Sequence, residues 1–478
     1  MESFESTAPL VEAMAAARKS GMMPMQIPGH KWQYLPDSEG ALGHSVLYDL
    51  IRDDIPLQGG ADDNAFSNGY LVQAEALYAR AIGAEHTRFL VGGSSQGNIA
   101  AFLTIARDGG LVAVDRTSHR SALAGMVLSG AMPRWIYPTI HPEFGLPIGM
   151  PASAIDDAAD ASAVFITSPA YVGTMTDLAP IVAKCHAAGH ALVVDQAWGA
   201  HLDFGVPGHA SAMALGADLV VTSTHKALMG YSQTATISSS GRIIDSARLD
   251  RAVDTTATTS PSATLLASID ATRFVMETEG AAAIERAIET TEAARAMLRR
   301  VAGVVVIDDS TAGCAVDPLK LTVWLPRTGC TGVEIAAELW QQGHGVETAD
   351  SDTLVMTVTV ADRRELVLDV VEKVVALIEA KRREPHASMP SAVWSIRPDV
   401  VMTPRAAVFA PRKRIALRDA AGLVSAEQFC PYPPGVPLLG PGELVTQEVI
   451  EAIGIAGGLG RVAYCSDPTL QTIEVVDL

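Results

Sequence analysis

The sequence predicts an α/β protein: a mostly parallel sheet in a large domain, then a smaller α+β domain and a C-terminal module. Two observations predict it. Between about residues 70 and 240, short β-rich runs alternate with alanine-rich helical stretches, the pattern of parallel strands covered by helices on both faces. Past residue 300 the order loosens into a shorter mixture of strands and helices, and the last stretch is rich in proline.

The elements follow in order. The opening MESFESTAPLVEAMAAARKSG lacks the basic flank and apolar core of an export signal and reads as an amphipathic helix. Strands are expected at TRFLVGG (87–93), GLVAVD (110–115), RWIYP (134–138), AVFITSP (163–169), HALVVD (190–195) and DLVVTST (218–224). Helical patterns lie between them at 97–106, 120–130 and 178–189, and a long helix is expected over 264–300. The small domain should hold strands at 304–309, 319–326 and 353–360, with helices at 331–342 and 363–383. Pro and Ser cluster at 385–391 as a linker. The expected division is an arm (1–45), a large domain (46–290), a small domain (291–384) and a C-terminal module (385–478).

Composition excludes several functions. Across 478 residues, 35 Lys+Arg stand against 54 Asp+Glu, a net charge of −19. A chain so acidic is not expected to bind nucleic acid or an anionic membrane surface. No apolar run approaches the ~20 residues of a membrane span. The five cysteines lie far apart, so neither a disulfide framework nor a zinc cluster is expected, and a reducing cytoplasm is the default. Cys185, His186 and His190 fall where a helix ends before a strand, and no metal is expected there.

Ligands of α/β sheets collect at the carboxyl ends of strands. Three strand ends carry chemistry. Gly92-Gly93-Ser94-Ser95-Gln96-Gly97 opens a helix, a ready phosphate cradle of backbone N–H groups and hydroxyls. HALVVD ends in Asp195, a carboxylate suited to a metal, a ribose or a protonated ring nitrogen, or simply to capping a helix. DLVVT runs into Ser223-Thr224-His225-Lys226. A lysine just past a buried strand is placed to be desolvated and nucleophilic, although a lone one is more often a surface residue. Together, cradle, aspartate and lysine stand in the order expected for pyridoxal phosphate. That cofactor needs a lysine for its Schiff base and an acidic partner for its pyridinium nitrogen. There is no GxxxxGK[ST] for an NTPase and no Rossmann GxGxxG.

With these motifs the chain resembles the Orn/Lys/Arg decarboxylase family in its compact form. The resemblance runs from Pro28-Gly29-His30-Lys31 through Gly93–Gly97, Asp115–Ser121, Asp195–His201, Ser223–Lys226 and Thr258–Ser262 to Pro431-Tyr432-Pro433-Pro434-Gly435-Val436-Pro437-Leu438 and Pro441-Gly442-Glu443. It implies the fold-type I pyridoxal-phosphate architecture, with a seven-stranded sheet. It also implies decarboxylation of a basic L-amino acid, with a lean to arginine, in a homodimer or higher homo-oligomer with shared active sites. Lys226 would carry the cofactor and return a proton at the α-carbon. His119 would stack on the ring, Ala197 would pack beneath it and Asp195 would pair with its nitrogen. Ser94, Ser95, Gln96, Ser223 and His225 would hold the phosphate, and Thr259 or Ser260 would reach the neighbouring subunit's phosphate, unless they cap a helix before Pro261. Glu443 is the expected reader of the substrate's distal cation, with His30 also assigned to the substrate and Asp53, Asp54, Asp62 and Asp63 as another acidic source.

Some positions depart from the family. Compact members more often carry Glu and His where this chain has Gln196 and Trp198, and Gln96 replaces a small hydroxyl residue. A rival reading keeps the cofactor but makes the enzyme an aminotransferase, aldolase or oxidase; transamination would need an arginine such as Arg327 for the α-carboxylate. A third reading is a non-catalytic cofactor-binding homologue, against which the retained Lys226, Asp195 and His225 stand.

Overall fold

The computed structural model describes residues 7–19, 69–106, 109–389, 396–432, 435–458 and 462–477. His30, Asp53, Asp54, Asp62 and Asp63 lie outside them, as do Pro433 and Pro434.

The large domain is built on strands β1 (His86–Leu90), β2 (Leu111–Asp115), β3 (Met132–Ile136), β4 (Ala163–Thr167), β5 (Ala191–Asp195), β6 (Leu219–Thr222) and β7 (Ala235–Ser239). They form one sheet in the order β1-β7-β6-β5-β4-β2-β3. Only β7 runs antiparallel to its neighbours. Alternation sorts the side chains to the two faces. Phe165, Val193 and Val221 pack with Phe102 on one face, and Val164, Ile166, Leu192, Val194 and Val220 pack with Ile181 on the other. Both faces are thus buried, which explains why these strands read as unbroken apolar runs.

Six of the seven strands were expected, with β3 lying two residues earlier than its sequence pattern. The unexpected strand, β7, has the sequence ATISS. Two of its three hydroxyls are satisfied across the sheet: Ser238 Oγ lies 2.8 Å from Thr87 Oγ1, and Thr236 Oγ1 lies 2.7 Å from Thr222 Oγ1, while Ser239 Oγ has no partner among the described residues. Pairing of this kind lets small polar residues line a buried strand.

The helix Gly93–Ile105 starts directly after β1 and presses on the sheet where Gly97 meets β6. A Cβ on Gly97 would stand 2.6 Å from Val221 Cγ1, so glycine permits the approach that brings the helix start beside the β6 end.

A 36-residue helix, Ala263–Leu298, leaves the large domain. Near its start Asp270 accepts from the Leu10 N–H of the N-terminal helix Pro9–Lys19, and near its end it packs with the small domain. The small domain has antiparallel strands β8 (Val305–Ile307), β9 (Lys320–Trp324), β10 (Thr348–Ala349) and β11 (Thr353–Thr357), in the order β10-β11-β9-β8. Its helix Gly332–Gln341 starts with a capping box between Thr331 and Glu334. The C-terminal module pairs β12 (Arg412–Ala416) with β15 (Thr472–Val476) and β13 (Cys430–Tyr432) with β14 (Val462–Tyr464) around Phe429, Leu439, Val449 and Val475. Among the described residues no helix is long and apolar enough to cross a membrane.

Candidate active site

Because β5 and β6 are parallel neighbours, their carboxyl ends deliver Asp195 and the turn Thr224–Ala227 to the same edge of the sheet. A cavity of about 350 Å³ opens there, lined by Ser94, His119, Asp195, Ala197, His225 and Lys226, among others.

Lys226 is half-buried, and desolvation of its amine lowers it below the usual lysine range, against the opposing charges of Asp195 and Glu347. Its Nζ lies 4.2 Å from the Trp198 ring centroid. Asp195 is 2% exposed. It accepts from the Ala197 N–H at 3.0 Å and from Asn98 Nδ2 at 2.7 Å. Burial raises its carboxyl above the usual range, and Lys226, Asn98 and Ala197 oppose that rise.

Asn98, which motif reading did not single out, also donates to Ser121 Oγ at 2.9 Å, and that hydroxyl lies 2.9 Å from His119 Nδ1. One hydrogen-bonded chain therefore orients Asp195 and His119 together. His119 caps the helix Arg120–Ser129 by accepting from the Ser121 N–H, so it is both a cap and a wall of the cavity. Burial, with the charges of Lys226 and Arg120, pushes it down to about 4, leaving a flat neutral ring at neutral pH.

His225 Nδ1 sits 2.7 Å from the Thr234 carbonyl, which fixes the proton on that nitrogen. Its Nε2 can donate to an anion only as imidazolium. Burial lowers its pKa, and a phosphate dianion beside it would reverse that shift. Ser223 is fully buried, and its Oγ has no partner among the described residues.

Several sequence expectations are redirected. Gln96 does not line the cavity: its Oε1 accepts from the Gly92 N–H at 2.9 Å, capping its own helix. Ser95 lines an adjoining, larger cleft rather than this cavity. Glu443 is 2% exposed and belongs to Arg116, with its two oxygens 2.5 and 3.1 Å from the guanidinium. A carboxylate so occupied is not open to a substrate cation. Arg327 pairs with Glu143 outside the cavity, so it supplies no α-carboxylate site. Thr259 and Ser260 are exposed and lie outside the cavity; Ser262 holds the N-cap position of the following helix, so neither serves as its cap. His186 pairs with Asp218 at 3.0 Å.

Two small-domain residues had no signal in the sequence. Glu347 lines the cavity, and its carboxylate has no hydrogen-bond or ion-pair partner among the described residues. Lys320, 1% exposed, donates to Thr357 Oγ1 at 3.0 Å and places its Nζ 4.1 Å from the Trp198 centroid. Gln196 turns out to be structural: Nε2 donates to Asp203 at 3.1 Å and Oε1 accepts from the Ala212 N–H at 2.7 Å.

These groups fit pyridoxal phosphate. Asp195 is a buried carboxylate that the protein supplies with hydrogen bonds but no ion pair, as a pyridinium partner should be. Ser223, also expected at the phosphate, is buried without lining the cavity, and its Oγ has no partner among the described residues. Lys226 is a desolvated amine on the same cavity wall, and His119 is a neutral aromatic ring. Among the described residues no group of three His, Cys, Asp or Glu side chains is arranged to hold a metal ion.

Comparison with known proteins agrees. The family model "Orn/Lys/Arg decarboxylase, major domain" matches residues 8–313, and the model of that family's C-terminal domain matches residues 387–454. An arginine decarboxylase of Halalkalibacterium halodurans is 30% identical over 99% of this chain and 98% of its own length. One from Bacillus subtilis is 30% identical over 94% of each. The lysine decarboxylase LdcF of Francisella novicida superposes with a TM-score of 0.83, at 18% identity, over 99% of this chain and 82% of that one. The chain belongs to the Orn/Lys/Arg decarboxylase family and is a pyridoxal-phosphate-dependent decarboxylase of a basic amino acid.

Proposed function

We propose that the substrate is L-arginine and that Glu347 receives its guanidinium. The observation that carries the reading is the sharing of one cavity by Lys226, Asp195 and an unpaired Glu347. Among the described residues, Asp195 and Glu347 are the acidic side chains lining it, and Asp195 is committed at the strand end. A carboxylate with no partner suits a planar guanidinium, which it can bind through two parallel hydrogen bonds. Full-length similarity to arginine decarboxylases at about 30% identity supports the same choice.

When bound, pyridoxal phosphate supplies the electron sink for cleavage next to the α-carbon. The chain's own residues do the rest. Lys226 would hold the cofactor, and its Nζ, kept in the cavity, would return a proton at the substrate's α-carbon. Asp195, fixed by Asn98 and Ala197, holds negative charge against the ring nitrogen. His119 stacks without adding charge, and Ala197 packs on the ring. Ser94 and His225, which line the cavity, would bind the phosphate beside the N-terminus of the helix Gly93–Ile105. Thr259 or Ser260 would reach the phosphate of a second subunit, and a homodimer or larger is the working unit we assign. The cytoplasm is the compartment we assign to it.

The test is a panel of arginine, lysine and ornithine with purified holoenzyme, scoring CO2 and amine. Arginine is expected to give the highest kcat/KM. A higher value for lysine or ornithine would sink the arginine assignment.

A further inference from the structure

One fully buried ion pair has no task in this mechanism. Arg116 follows the end of β2, and Glu443 lies in the C-terminal module; both are 2% exposed. Such a pair gives little net stability, because desolvation of the two ions offsets their attraction. What a two-pronged guanidinium–carboxylate contact does supply is orientation. Here the orientation extends along the module. Arg116 Nη2 also donates to the Leu438 carbonyl at 2.9 Å, and Glu443 accepts from the Gly440 N–H at 2.6 Å. On the other side the Arg116 guanidinium lies 4.5 Å from the Trp135 ring centroid of the large domain.

The segment just before these anchors reaches the catalytic cavity. Tyr432 and Val436 line it, and the Gly435 carbonyl accepts from the Arg120 N–H at 3.2 Å. Gly435 has φ 80°, and a Cβ there would stand 3.2 Å from the Tyr432 ring and 3.5 Å from His119 Cδ2. The backbone therefore passes against the ring assigned to stack on the cofactor.

We infer that Arg116 and Glu443 form a positioning pair that seats Tyr432, Gly435 and Val436 against His119 and so closes one wall of the cavity. The pair touches neither substrate nor cofactor. It acts through the wall, which keeps water out and the substrate in. The inference rests on the reading of this cavity as the catalytic site.

The test uses the holoenzyme of Glu443→Gln, which keeps the side chain's shape and removes its charge. The visible absorbance of the Lys226-bound cofactor is expected to remain. Cyanoborohydride should reduce the C=N bond to Lys226 several-fold faster than in the wild type, and KM should rise about tenfold with kcat within about twofold, as for one weakened charge-assisted contact. Wild-type values of both the reduction rate and KM would overturn the inference, whatever happens to thermal stability. If Glu443→Gln yields no folded holoenzyme, the apolar double variant Arg116→Met/Glu443→Met takes its place. It should show the same faster reduction, and an unchanged rate again overturns the inference. A wild type lacking the visible absorbance would instead remove the reading of the cavity, so the two failures are distinct.

Discussion

The ammonium groups of Lys226 and Lys320 both rest on the indole of Trp198, 4.2 and 4.1 Å from its centroid. Burial brings Lys320 down to about 8, the charge of Lys226 adds to that, and Asp317 and Glu347 oppose it. Two cations on one ring each disfavour the other's charged form. Lys320→Met should therefore let the Lys226 nitrogen hold its proton more tightly. The pH at which the lysine-bound cofactor changes colour is expected to rise by about 0.5–1 unit in a spectrophotometric titration. A fall, or no movement, contradicts the coupling.

Asp195→Asn keeps the side chain's shape but removes the charge assigned to the pyridinium. Loss of a buried charge-assisted contact of ~3–4 kcal/mol lowers kcat by about 10²–10³-fold. In the cofactor-free protein the variant removes a buried charge but leaves one of two donors, the Ala197 N–H or Asn98 Nδ2, facing an amide NH2, so stability should change by no more than ~1–2 kcal/mol. Steady-state kinetics and thermal unfolding of the cofactor-free form check the two halves separately.

Glu347→Gln separates recognition from chemistry. Replacing a charged acceptor by a neutral one costs ~1.5–3 kcal/mol, so KM for arginine should rise about 10–100-fold. Cofactor absorbance should not change, since Glu347 has no assigned contact with it. An unaltered KM would remove Glu347 from the distal site.

Asp203 contributes to the pH dependence of stability. Burial raises its carboxyl to about 7, although Gln196 Nε2 donates to its Oδ1 at 3.1 Å, and its Oδ2 has no partner among the described residues. The folded protein thus binds this proton more tightly than the unfolded chain, whose aspartate titrates near ~3.9. The resulting stability is fully present below ~3.9 and is lost as pH rises toward about 7. Asp203→Asn should be ~1–3 kcal/mol more stable than wild type at pH 8, with the difference gone near pH 4. Urea unfolding at the two pH values measures it.

Much of this architecture is legible before any coordinates. Parallel strands buried on both faces must be apolar throughout, so AVFIT, ALVVD and LVVT declare themselves. ATISS does not, because its burial rests on hydroxyl partners in other strands. The cap formed by Gln96 was equally hidden, since a glutamine four residues past a glycine is compatible with a cap or a ligand contact.

By itself the sequence determined the cofactor chemistry: a glycine-rich helix start, then Asp195, then Lys226, each at a strand's carboxyl end. β5 and β6 are parallel neighbours, so their carboxyl ends lie side by side, while the helix start after β1 reaches them past β7 through the close approach of Gly97 to Val221. Only the tertiary structure decided which carboxylate is free to meet a substrate. Glu443 stands in a family motif yet is neutralised by Arg116, 327 residues away, whereas Glu347 stands in no motif and is left unpaired in the cavity. Whether a charge is available depends on what lies within a few ångströms of it, and spacing along the chain carries no record of that distance.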